Sequence, residues 1–586
     1  MQVMRITPSD YAEISQASEP ALSPDGKQVA FVSRTPDGDR EYESTIHPSS
    51  VESEESRRFT QRPGTDSSPT WGPDGDRLAF MSVRGDDETP QLWVLPVDGG
   101  EAEQLTDVVG GVSEPVWSPD RRYLAFTQQA TTEERDAELD IDRANDVEYE
   151  REQQDPRVIS RLVYREHGSY IGGKRQHLYL CDTETAVVER VSDGEYDYAN
   201  PDWGDARTLY ATVRRTGDPD DNLVHDIVAF DVESGEEETV TQTTGWDSSF
   251  SATSDGRIAF RYSVDKEPGP SIHLTEIKVV DRETGQERKV TDGLSRRVYR
   301  GSTPLWDDDQ ESIYILVPDE GVVEVYELDP DGDEEPSLVD TNGTEHIEEM
   351  SISSGHITFV QTRATAPSDV FMAPTASGDP TRVSRLNDEY LTDVQVQEPE
   401  EVWVESEGGT DVQGWILTPP GFDEEESYPA VLEIHGGPSI MWTTSGTMWH
   451  EFQLLASMGY VVAWCNPRGS TGYGEEHTKA IGRDWDGSDY RDLMAFTDEL
   501  ASRSAVDDGN LFVTGGSFGG FMTSWIVGHT DRFSGAVTQR GVYDQIAQFG
   551  ATDTYHSKEK QLGLSWEEHI KYWEASPVAY ADANHP

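Results

Sequence analysis

Three stretches of the chain repeat one pattern: "PALSPDGKQVAFVSR" from Pro20, "PTWGPDGDRLAFMSV" from Pro69 and "PVWSPDRRYLAFTQQ" from Pro115. Each has a bulky apolar residue, a small residue, Pro-Asp, a polar turn and then an alternating apolar run. Proline presets φ and glycine accepts positive φ, so Pro-Asp-Gly is a tight turn. The alternation after it predicts a half-buried strand. Weaker copies begin at Pro201, Ser251, Pro304 and Ser351. The matching column is Leu22, Trp71, Trp117, Trp203, Ala252, Trp306 and Ile352, at intervals of 49, 46, 86, 49, 54 and 46 residues. Short strands recurring near that period predict a β-propeller, and seven copies predict seven blades. The one long interval holds an acidic insertion at about 130–157. The repeated tryptophans are expected to pack between blades.

Near residue 396 the pattern changes. "AVLEIHGG", "YVVAWCNPRG" and "NLFVTGGS" are continuous apolar strands ending in glycine-rich loops, and "YRDLMAFTDELASR" has helical spacing. Buried strands alternating with helices predict a parallel sheet covered on both faces, with function at the strand ends. Residues 1–395 are therefore read as propeller and 396–586 as an α/β-hydrolase domain.

Gly515-Gly516-Ser517-Phe518-Gly519 fits G-x-S-x-G. A strand over 511–514 precedes it and an apolar helix over 521–527 follows, which is the context of a nucleophile elbow. Gly515 and Gly519 leave room for the sharp turn, and the helix N-terminus favours developing negative charge at Ser517. His435-Gly436-Gly437-Pro438 closes another strand. In such hydrolases the two oxyanion N–H groups come from a loop of this kind and from the residue after the nucleophile, here Gly437 and Phe518. His435 precedes the serine, which is the wrong order for the base of this fold. It is read, with Gly436, as a brace for the loop. Arg468 in "NPRGSTGYGEEH" is read as a loop anchor, with substrate contact as the alternative.

The formal charge is −67, from 113 acidic against 46 basic residues, of which nine are lysine. The acids are spread along the chain. Self-repulsion on this scale is tolerable where salt shortens the Debye length to about 3 Å, as at molar concentration. A salt-rich cytosol is the expected setting. No basic stripe exists to meet phosphates, which disfavours nucleic acid. No apolar stretch is long enough for a membrane span, and the start lacks a signal-peptide core, so a cytoplasmic location is expected. Cys181 and Cys465 define neither a disulfide framework nor a metal site, and no cofactor is expected. Association of identical copies stays open.

Together, "SPDG", "HGGP", "NPRGSTGYG", "GGSFGG" and "ASPVAYA" resemble the prolyl oligopeptidase family of serine peptidases, in its acylaminoacyl-peptidase-like branch. The resemblance covers essentially the whole chain. It implies a seven-bladed propeller capping an α/β-hydrolase domain, with short or N-acylated peptides as substrates and Ser517 as nucleophile. The triad order implied is Ser, Asp, His. Only 69 residues follow Ser517, and "SPVAYADANHP" resembles the segment before the aspartate strand. The resemblance thus implies that the last strands and helix of the domain, with both triad partners, are missing. His529, His556, His569 and His585 are poor substitutes for the base, and Asp553 and Asp582 for the acid. Little activity is expected of the chain as written. A catalytically silent peptide- or partner-binding protein is the alternative, and an esterase the third.

Overall fold

A computed structural model describes residues 5–583, apart from 39–40, 51–58, 61–63, 85–88, 147–148, 150–158, 160–163, 167–168, 171, 218–221, 243–244, 247–248, 265–271, 342–345, 377, 446–448 and 482–486. Of the acidic insertion, a short helix over Thr132–Asp136 and a turn of 3₁₀ helix over Arg143–Asp146 are described. Much of its remainder, and His585, lie outside the described residues.

Each repeat begins on the same kind of strand. Gln16–Leu22, Thr65–Trp71, Ser113–Trp117 and Asp197–Trp203 all end on the column residue. Each carries a bulge three residues earlier, where Glu19, Ser68, Glu114 and Asn200 take φ between 51° and 54°. The bulge breaks the ladder and turns a backbone N–H sideways. The neighbouring repeat accepts it: Asn200 N–H donates to the Glu114 carboxylate at 3.0 Å, and Ser68 N–H donates to that of Glu19. The column tryptophans bond in the same direction. Trp71 Nε1–H donates to Ala21 O (2.9 Å), Trp117 to Thr70 O (3.1 Å), Trp203 to Val116 O (3.4 Å) and Trp306 to Ser251 O (3.1 Å). Every acceptor lies in the homologous strand of the preceding repeat. Apolar clusters fill the gaps between successive sheets, for example Leu78, Phe80 and Trp93 against Ala30, Val32 and Ile46.

The last repeat packs on the first. Val29 and Phe31 share a cluster with Val360, Val370 and Met372. Asn387, buried, accepts from Ser15 N–H and donates to Ser15 O, both at 2.9 Å. Ser49 Oγ donates to Val383 O at 3.0 Å, and Leu22 N–H donates to Ser351 Oγ at 2.9 Å. The sheets therefore form a closed ring, which leaves only short, protected strand edges.

From Glu400 a separate mixed sheet begins. Its order is Glu400–Ser406, Thr410–Leu417, Val461–Cys465, Tyr428–Ile434, Val506–Gly516, Gly535–Gln539. The first two strands are antiparallel to their neighbours and the last four run parallel. Helices Ser488–Ser502 and Phe518–His529 cover one face through Leu493, Phe496, Phe521 and Ile526. Helix Trp449–Ser457 covers the other through Phe452 and Ala456, against Trp464. The helix after the elbow starts at Phe518, three residues before its expected start, because Ser517 itself makes the turn. Among the described residues no helix is long and apolar enough to cross a membrane. Both cysteines are buried and free.

A propeller turn at Asp319–Val322 joins the two units. Glu320 N–H donates to Gly472 O (3.2 Å), and Thr444 N–H donates to Gly321 O (3.1 Å). Gln413 Nε2 donates to Glu320 O at 2.9 Å.

Trp117→Phe keeps most of the packing but removes the indole N–H bond to Thr70 O, so it is expected to cost about 0.5–1.5 kcal/mol. Trp117→Ala is expected to cost about 3–5 kcal/mol. Denaturant unfolding of the two variants separates the share of the hydrogen bond from that of the packing.

Candidate active site

The strand Val506–Gly516 delivers Ser517 to the edge of the sheet, and the helix Phe518–His529 begins one residue later. Ser517 has φ 58° and ψ −117°, outside the usual regions for a residue with a side chain. Such strain persists only where the surroundings impose it. Here Ser517 N–H donates to Gln539 O and Phe521 N–H donates to Ser517 O, both at 3.0 Å. Ser517 is exposed, while Gly515 before it and Phe518 and Gly519 after it are buried.

The glycines of the motif answer to close backbone approach. A Cβ on Gly519 would stand 2.1 Å from the Ile434 carbonyl oxygen, and one on Gly515 would stand 2.6 Å from the same atom. Ile434 also pairs with Gly515 across the sheet. The loop that starts at His435 therefore emerges beside the elbow. A methyl group on Gly436 would lie 3.5 Å from Ser517 Cβ. The structure thus brings Ser517, Phe518, Gly436 and Gly437 to one place.

His435 and Arg468 hold the flanking loops. The buried His435 ring donates from Nδ1 to Gly436 O (2.7 Å), and its Nε2 meets Ser470 Oγ (2.9 Å). Trp442 packs edge-on against it. Burial pulls its pKa down to about 4, so the ring is neutral near pH 7. Arg468 forms a two-pronged pair with the fully buried Asp492, Nε to Oδ2 at 2.9 Å and Nη2 to Oδ1 at 2.6 Å. Its backbone N–H adds a third bond to Oδ2, at 2.7 Å. These bonds tie the loop that bears Arg468 to that carboxylate. Asp492 belongs to helix Ser488–Ser502, capped at Gly487.

Among the described residues, Ser517 Oγ has no hydrogen-bond partner and no imidazole or carboxylate reaches it. His529 lies along its helix, with Nδ1 on Trp525 O (2.7 Å) and its ring stacked on Trp525 at 4.2 Å. His556 packs on Tyr555 at 4.0 Å, and His569 is exposed at the start of a short helix. Asp553 and Asp582 are exposed. No set of three metal-ligating side chains gathers among the described residues.

Two features carry no motif. Glu433, two residues before His435, is 4% exposed, and its Oε1 has no hydrogen-bond partner. Burial, with Glu451 nearby, pushes its carboxyl up to about 8. The second is a cavity of about 300 Å³ between the ring and the Gly437 loop. Its walls include Arg297, Arg300 and His346 from the ring, and Gly437, Pro438 and Met441 from the oxyanion-type loop. The one sequence signal for it was "SRRVYR", three arginines within an acidic chain.

Residues 446–586 match the prolyl oligopeptidase family, and residues 9–154 match the TolB beta propeller domain. The peptidase YuxL of Bacillus subtilis is 31% identical over 98% of this chain and 88% of its own length. Dipeptidyl-peptidase 5 of Porphyromonas gingivalis is 24% identical over 99% of this chain and 85% of its own. An acylaminoacyl peptidase solved in complex with Z-Gly-Gly-Phe-chloromethyl ketone superposes with a TM-score of 0.81 at 21% identity, covering 99% of this chain and 86% of that one.

Gly519→Ala is expected to cost more than the roughly 1–3 kcal/mol of ordinary overpacking, because the added methyl meets backbone. Gly550→Ala, where a Cβ meets nothing within 4 Å, is the neutral control. Thermal unfolding compares the two. Glu433 gives a pH signature. Its carboxyl stays protonated in the fold while the unfolded chain ionises, so its contribution to stability falls as pH rises from about 4.5 to about 8. Glu433→Gln is expected to leave the unfolding midpoint unchanged near pH 4.5 and to raise it at pH 8.

Proposed function

The chain belongs to the prolyl oligopeptidase family of serine peptidases, and on that premise we propose that it hydrolyses short or N-acylated peptides through an acyl-enzyme on Ser517. The carrying observation is the elbow: an exposed serine held at φ 58° between a buried strand end and a helix N-terminus. In this reading the Gly437 and Phe518 N–H groups receive the oxyanion of the tetrahedral intermediate. Gly436 and His435 shape the loop that presents Gly437, Arg468 fixes the adjacent loop, and Gly515 and Gly519 permit the turn.

Attack by Ser517 requires its proton to leave as the C–O bond forms. The described residues bring no base to Oγ, and an unassisted hydroxyl is a weak nucleophile. What they supply is positioning and oxyanion stabilisation, which alone sustain about 10³–10⁴ over water. The same observation favours a second reading, a silent protein that binds peptides without cleaving them. An esterase would use the same elbow, but a ring over the site suits exclusion of large peptides better.

The ring in this reading spans residues 1–395 and the peptidase unit residues 396–586. The change from antiparallel sheets to the mixed sheet falls between Arg382 and Glu400, which supports that boundary. Seven blades are supported by seven apolar clusters, each joining one repeat to the next and the last joining the ends. Peptide substrates are supported by the peptidyl chloromethyl ketone bound to the acylaminoacyl peptidase of like fold.

A fluorophosphonate probe tests the reading. Slow labelling confined to Ser517, absent in Ser517→Ala, is expected of the purified 586-residue chain. Rapid labelling would show that a base does reach Oγ and sink the slow-turnover part. Labelling elsewhere would remove Ser517 as the nucleophile.

A further inference from the structure

The cavity between the ring and the Gly437 loop has an unusual electrical character for this chain. Acidic residues number 113 of 586, yet among the described residues none lines it. Two arginines do, both from the segment that links successive strands of the ring. Arg297 is buried and its Nε donates to Thr275 Oγ1 at 3.1 Å, so it is held as part of the wall. Arg300 differs. It is exposed and, among the described residues, has neither an ion pair nor a hydrogen bond, although most described arginines are paired with carboxylates.

His346 lines the same space. It is 3% exposed, and neither ring nitrogen has a hydrogen-bond partner among the described residues. Glu348 Oε1 stands 4.0 Å from its Nε2, beyond hydrogen-bond reach, and accepts instead from Thr362. Tyr299 meets the ring edge-on at 6.2 Å. Both ring nitrogens are closed off from the cavity, so the ring forms part of its wall. Apolar walls with a few convergent polar groups are what a small-ligand site offers.

We propose that this cavity is a substrate subsite that reads a carboxylate, with Arg300 pairing the anionic group of a bound peptide. The carboxylate has two sources, the free C-terminus of a short peptide or an acidic side chain. An exposed guanidinium pairs a carboxylate with modest strength, and the fork geometry supplies direction. The proposal rests on the reading of Ser517 as the reacting group only for its place beside the elbow. Binding to the cavity does not require that serine to be active.

The test is calorimetric titration of the full chain carrying Ser517→Ala with three probes: acetyl-Ala-Ala-Phe-Ala, its C-terminal amide, and acetyl-Ala-Ala-Phe-Glu-amide. Either carboxylate peptide is expected to bind about fivefold more tightly than the neutral amide, in line with one partly exposed ion pair. Arg300→Met should erase the difference and Arg300→Lys should keep part of it. A preference for the free acid assigns the C-terminus as the source, and a preference for the Glu peptide assigns the side chain. Equal affinity for all three, a preference that survives Arg300→Met, or no binding would overturn the proposal. Probe labelling of Ser517 in the unsubstituted chain is read separately, so a silent serine and a wrong subsite give different results.

Discussion

Four junctions of the ring share one bond, from the indole N–H of a column tryptophan to the backbone of the preceding repeat. A buried N–H must find an acceptor, and a strand carbonyl one unit back offers its second lone pair. Trp71, Trp117, Trp203 and Trp306 each reach back in this way. The bond sets the angle between successive sheets while the large indole fills the gap. Apolar packing completes the other junctions, and where the last repeat meets the first, Asn387 and Ser15 hold the ends.

The closed ring then fixes the site from a distance. Its turn at Asp319–Val322 lies against Gly472, Thr444 and Met441, which belong to the loops flanking the elbow. Gly321 N–H lies 3.3 Å from Met441 Sδ, and Trp415 leaves no room for a Cβ at Gly321. The loop bearing Gly437 is thereby pressed between the ring on one side and the Ile434–Gly515 register on the other. Ser517 keeps its strained φ because the backbone on both sides has no room to relax.

Several elements were legible in the chain itself. The Pro-Asp-Gly turns, the column spacing and the glycines around Ser517 are short-range signals, since each reflects a constraint within a few residues. The roles of His435 and Arg468 were legible only as loop bracing. Their partners, Ser470 and Asp492, lie 35 and 24 residues away, and no spacing along the chain marks either pairing. The unpaired side chains Glu433 and His346 were invisible, because a lone carboxylate or imidazole in a strand looks like any other until burial removes its water. Arg300 was hidden in the same way, its significance being that among the described residues no carboxylate pairs with it in space.

The sequence by itself determined the two architectures, the change of pattern near residue 396 and the serine that a strand–turn–helix would expose. Periodicity and turn chemistry act locally, and local rules survive without coordinates. Only the tertiary structure decided what surrounds that serine. Ring closure and strand register bring Gly436 beside it and the arginines of a distant repeat against the Gly437 loop, while His529 is carried off to stack on Trp525. Proximity between residues far apart in the chain is set by packing of whole layers, and no spacing along one dimension encodes it.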